Sequence, residues 1–144
     1  MKRIFQLSTM ILLTAFVSAS CSKETKIERR LTRKTGKWNI EHYETKFYEN
    51  GMLTENENYH NIGYFTFDDD GTVIQTYTDG GDTYTYAGTW SNTDDKITFI
   101  EDGDAAVWSI KEDSKREMTL ELVDQYSSGG TNYRDVYTIE LERD

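Results

Sequence analysis

Gly36-Lys37-Trp38-Asn39-Ile40 is the stretch at which the chain changes character, from a charged arm to roughly a hundred residues of alternating polar and apolar positions. Trp38, Ile40 and His42 share one face of an extended segment that runs from Lys37 to about Tyr48. Near Tyr43 the apolar phase slips to Tyr43, Thr45 and Phe47. A slip by one residue predicts a bulge or a sharp bend.

Outward from this stretch the same period recurs. Asn50-Gly51 marks a turn, and Met52 to Asn61, rich in Glu and Asn, reads as the longest loop. Strands follow at Tyr64–Phe67 and Thr72–Thr78, separated by Asp68-Asp69-Asp70-Gly71. Thr83 to Ser91 alternates most clearly, with Tyr84, Tyr86, Gly88 and Trp90 on one face. Lys96–Ile100 places Ile97 and Phe99 inward, and Ala105–Lys111 carries Ala106, Trp108 and Ile110. Two more strands carry Met118, Leu120 and Leu122, then Tyr137, Ile139 and Leu141, with a Ser-Ser-Gly-Gly loop at 127–130 between them.

Short polar turns containing glycine imply antiparallel neighbours rather than crossovers. Eight such strands with no helical period between them predict an all-β fold, a closed antiparallel up-and-down barrel. Closure would remove the edges through which sheets pair with one another. A flattened β-sandwich is the alternative, because strand spacing alone does not show that the first and last strands meet.

Four motifs resemble the small lipocalin-like lipoproteins of Bacteroidetes: Gly36-Lys37-Trp38, Phe65-Thr66-Phe67-Asp68-Asp69-Asp70-Gly71-Thr72, Gly88-Thr89-Trp90-Ser91 and Trp108-Ser109-Ile110. The resemblance spans residues 36 to 143 and implies the fold. It also implies a role for Gly36 and Trp38 in barrel closure, since in lipocalins an Arg of the last strand packs across the opening-strand Trp. Arg143 has the parity of Leu141 and Ile139 and is the residue that would do so by a cation-π contact.

The first twenty residues have the form of a secretory signal, with Lys2 and Arg3 ahead of the apolar run Ile11 to Val17. That run is too short to span a bilayer, which needs about twenty apolar residues. Ser18-Ala19-Ser20 leads into Cys21, the only cysteine, so no internal disulfide can form. This resembles a bacterial lipobox, which implies cleavage before Cys21 and its lipidation, although Ser18 stands where an aliphatic residue is usual. The expected organisation is a signal peptide at 1–20, a lipidated Cys with a charged tether at 21–35, and the barrel at 36–144. Ile27 and Leu31, four apart in the tether, allow a turn or two of helix against the barrel's end. The expected location is the Gram-negative envelope, at the outer membrane, held there through lipid on Cys21.

The formal charge of −10 becomes −12 once Lys2 and Arg3 are removed. A surface that acidic is, taken as a whole, a poor match for nucleic acid or for anionic headgroups. His42 and His60 have no nucleophile elbow, phosphate loop or His-Glu-x-x-His pattern beside them, so no enzyme is expected. The Asp-rich turns lack calcium-loop spacing and suit tight turns, so neither metal nor cofactor is expected. The inward aromatics Trp38, Phe65, Phe67, Tyr84, Tyr86, Trp90, Trp108 and Tyr137 would either fill a shallow barrel or line a pocket, with filling favoured because the strands read as short. Two functions follow. One is binding of a small hydrophobic ligand through Tyr84, Tyr86, Trp90 and Trp108; the other is a protein-interaction or inhibitor module acting through acidic loops, above all Met52 to Asn61.

Overall fold

The computed structural model describes residues 23–143, and within them one helix is followed by eight antiparallel strands. The signal peptide and Cys21 lie outside the described residues. The strands are β1 (Lys37–Glu49), β2 (Met52–Phe67), β3 (Thr72–Asp79), β4 (Asp82–Asn92), β5 (Lys96–Glu101), β6 (Asp104–Asp113), β7 (Glu117–Ser128) and β8 (Thr131–Arg143). Each pairs with its neighbour in sequence, and β1 pairs with β8 from Trp38↔Arg143 to Glu49↔Tyr133. The barrel is therefore closed, which excludes the sandwich.

The phase slip in β1 is a bulge at Glu41. Ile40 pairs with Gly63 and Leu141, and the next aligned residue, His42, pairs with His60 and Glu140. Before the bulge Trp38 and Ile40 face the core; beyond it Tyr43, Thr45 and Phe47 do.

Met52 to Asn61 is not a loop. These residues begin β2, a strand of 16 residues paired with β1 along its length. The run reads as a loop because every residue from Met52 to Asn61 is exposed, so no apolar alternation marks it. β3 pairs with β2 only over Gly63–Phe67, and β6 with β7 only over Met118–Glu121. The distal halves of β2, β1, β8 and β7 therefore rise past the shorter strands as a four-stranded wall on one side of the mouth. β1, β2, β7 and β8 are 12 to 16 residues long, which corrects the expectation of mostly short strands and a shallow interior.

The other end is closed by α1 (Lys23–Thr32), in the segment expected to be a tether. Glu24 in its first turn and Arg29 and Arg30 in its last suit the helix dipole. Ile27 and Leu31, one turn apart, are fully buried and belong to the same core as Trp38, Ile97 and Leu120. Arg30 forms an ion pair with Asp113, and Asn92 Nδ2 donates to the Glu24 carbonyl at 3.0 Å. Lys34, at φ 63°, ends the helix in the left-handed conformation, and Gly36 follows at φ 65°. Gly36 lies so close to β2 that a Cβ there would stand 2.0 Å from the Phe67 carbonyl oxygen, while its own carbonyl accepts from the Phe67 amide at 2.9 Å.

Trp38 is fully buried beneath this helix, its indole N–H donating to the Leu31 carbonyl at 3.1 Å. The Arg143 guanidinium lies over the ring with Cζ 4.5 Å from the centroid. The stopper thus bonds to the barrel through both apolar and polar contacts. Leu31→Ala should lower unfolding free energy by about 3 kcal/mol in urea titration, since the cavity left cannot be refilled from solvent. A loss below about 1 kcal/mol would show the helix to be a loose appendage.

Candidate functional site

Above the closed end the interior divides into a packed floor and an open chamber. The floor is a cluster of rings: Phe67 meets Trp90 edge-on at 5.4 Å, and Phe65 stacks on Phe99 at 5.5 Å. Trp90 is buried and its indole N–H donates to the Asp68 carbonyl at 3.1 Å, which fixes it in the floor. The chamber above has a volume of about 400 Å³, within the range of small-molecule pockets.

Its lower walls are apolar, from Ile40, Phe65, Val73, Phe99, Trp108 and Ile139. Toward the mouth they carry Tyr43, Tyr77 and Tyr86, with Gln75 and Glu101 as polar side chains. Gly88 contributes a bare stretch of wall. A Cβ there would fall 2.5 Å from the Ile100 carbonyl oxygen, so the close approach of β4 to β5 requires glycine.

Of the four residues expected to bind a ligand, Tyr86 and Trp108 line the chamber and Tyr84 and Trp90 do not. Trp90 is too deep. Tyr84 is one strand repeat nearer the mouth than Tyr86, at the rim, where it stacks on Tyr77 at 5.1 Å. Tyr77 stacks in turn on Tyr86 at 5.8 Å with the rings 4° from parallel, giving a ladder of three phenols up one side of the mouth. The expectation of a barrel filled by its own aromatics holds for the floor and fails for the chamber. Tyr43, Ile62 and Gln75 are the lining residues that strand parity understated, Tyr43 because its phase depends on the bulge and Gln75 because it is polar on an inward face.

The inner face of the wall continues the chamber upward. Tyr43 pairs with Tyr59, Thr45 with Glu57, and Phe47 with Glu55; on the other side Tyr137 pairs with Thr45 and Asp135 with Phe47. Thr45 Oγ1 donates to Glu57 at 3.3 Å, Tyr43 stacks on Tyr59 at 6.1 Å, and Phe47 meets Tyr137 edge-on at 6.3 Å. This face is built of phenols and carboxylates, and its lysine and arginine neighbours, Lys46 and Arg134, have the opposite parity. The tyrosines register those charges. Burial, then Tyr137, Tyr59 and Glu57, raise the Tyr43 pKa; the Glu57 carboxylate is the first cause for Tyr59. Burial, then Asp135, raise Tyr126 and Tyr137, and the hydrogen bond with Tyr86 raises Tyr77.

His42 and His60 stack at 4.6 Å on the outer face. The His42 ring nitrogens are engaged by Asn58 Oδ1 at 2.9 Å and Glu140 Oε1 at 3.5 Å. His60 lies in strand β2 rather than in a loop. Among the described residues no group of three or more His, Cys, Asp or Glu is placed to hold a metal ion, and no helix is long and apolar enough to cross a membrane.

The chain belongs to the lipocalin-like domain family, whose model matches residues 35–120. Members of the lipocalin family are typically binding proteins rather than enzymes. No curated protein matches the chain in sequence. Among solved structures, a deswapped triple mutant of the bovine odorant-binding protein is similar over 74% of this chain and 71% of that one, at 12% identity and a TM-score of 0.41.

The folded protein holds the protons of these five tyrosines more tightly than the unfolded chain, in which a phenol ionises near 10.0. That difference favours the folded state below pH 10 and is lost as the pH climbs through the higher folded values. Stability should therefore fall steadily above about pH 10, with phenolate absorbance appearing later than in the urea-unfolded chain. Coincident phenolate titrations of the folded and unfolded protein would show that the wall tyrosines do not sense its carboxylates.

Proposed function

We propose that this protein binds a small apolar molecule in the chamber, without chemical transformation, and that it does so anchored to the Gram-negative envelope by lipid on Cys21. The chamber carries the first part of the reading: its lower walls are apolar, its upper walls offer phenol hydroxyls, and Trp108 stands in its lining. Such a division suits a ligand with an apolar body and a polar end directed at the mouth. The carboxylates around that mouth, Glu101, Glu55, Glu57 and Asp135, oppose an anionic end and accept a neutral or cationic one.

The anchor follows from residues 1–21. α1 starts at Lys23 and packs on the closed end, so a chain attached at Cys21 enters the barrel opposite its mouth. An attachment there leaves the chamber facing away from the bilayer.

Tryptophan fluorescence of the purified protein should change saturably, at one ligand per chain, with retinol, decanol or decyltrimethylammonium, and more weakly with decanoate. Trp108→Ala should reduce affinity roughly tenfold, or about 1.4 kcal/mol, for whichever of these binds best. A flat response to the whole panel would remove the ligand-binding reading. In a Gram-negative host, labelled fatty acid should be incorporated into the wild-type chain and be absent from Cys21→Ala; equal labelling of the two would remove the anchor.

A further inference from the structure

The positive charge of the molecule gathers at the closed end, where a second cleft of about 260 Å³ is lined by Arg33, Lys34, Lys115, Arg116 and Arg143. Every lining side chain is cationic. They come from three separate places in the chain: the exit of α1, the turn between β6 and β7, and the last residue of β8. The main chain fixes their approach, the Arg143 amide donating to the Arg116 carbonyl at 2.7 Å. Arg33, Lys115 and Arg116 form no ion pair among the described residues, whereas Arg30 on the neighbouring helical turn is neutralised by Asp113.

Arg143 forms the deep wall and is only 6% exposed. Its Nε and Nη2 are buried and have no hydrogen-bond partner. Those two nitrogens are closed off from solvent, so Arg143 contributes to the cleft as a buried positive charge behind its exposed lining. Burial, then Arg33 and Arg30, lower the Arg143 pKa, because burial and neighbouring like charges both disfavour its charged form.

The geometry points to an anion site in this cleft that takes a phosphate group, with Arg143 behind it and Arg33, Lys115 and Arg116 at its lips. The site is separate from the ligand chamber, since Trp38 and the ring floor lie between them. Phosphate is favoured over a single carboxylate because several cations converge from different directions on one small volume, which suits an anion with acceptors on more than one side. Two sources offer that chemistry: free inorganic phosphate, and the headgroup of an anionic phospholipid.

The test compares the full chain with its Lys115→Gln/Arg116→Gln variant, both substitutions lying in an exposed turn. In the first arm, inorganic phosphate is titrated at constant ionic strength against chloride. In the second, co-sedimentation is measured with phosphatidylcholine vesicles that contain or lack phosphatidylglycerol, so that contacts made by the rest of the chain are common to both proteins. A saturable rise in melting temperature with phosphate, at least halved in the variant, establishes a free-phosphate site. A phosphatidylglycerol-dependent gain in vesicle binding, reduced about tenfold in the variant with no phosphate effect, establishes headgroup binding. Wild type and variant that respond alike in both arms overturn the proposal. So does a phosphate response that sulfate, chloride and phosphate share equally, because it would mean general screening.

Discussion

The burial of Trp38 against the last turn of α1 is the contact on which the remaining structure rests. Its indole N–H closes on the Leu31 carbonyl, its ring is covered by Arg143, and it is flanked by Gly36, whose missing side chain lets the chain press against the end of β2. That one residue joins the helix, the first strand and the last strand. Barrel closure needs the first and last strands to meet in register, and the Trp38↔Arg143 pair is where that register begins. With this end sealed by apolar side chains from α1, the other end is free to stay open.

The consequence is a gradient along the barrel axis. Fully buried aliphatic and aromatic groups occupy the closed end, a ring cluster forms the floor, apolar side chains with a few phenols enclose the chamber, and phenols with carboxylates form the wall above it. Each step outward exchanges hydrophobic burial for groups that tolerate water. The bulge at Glu41 marks the change, because it moves the inward face of β1 from Trp38 and Ile40 to Tyr43 and Thr45.

The barrel was legible wherever one strand face is dry. β3 to β6 are short, their turns contain Gly or Asp, and their inward residues alternate with polar ones, so their limits in the sequence agree with the structure to within about two residues. The wall was illegible for the reason that it stands in water: from Met52 to Asn61 both faces are exposed, and period-two alternation has nothing to report. α1 was underread because only Ile27 and Leu31 carry its apolar face, and two residues among so many charges resemble a solvated arm until they are seen in the core. The site was legible by face and not by depth. Parity places Tyr84, Tyr86 and Trp90 on one side of β4; only the tilt and length of the strands decide that Tyr86 alone among them lines the chamber.

The uneven height of the barrel also bears on how a ligand of the kind proposed would arrive. On a symmetrical rim, encounter must occur directly above the opening. Here the inner face of β2, β1, β8 and β7 presents rings beside the opening, and a molecule that touched it could move along a surface instead of through bulk solvent. Capture would then be a search in two dimensions that ends in the chamber, and departure would run the same track backwards.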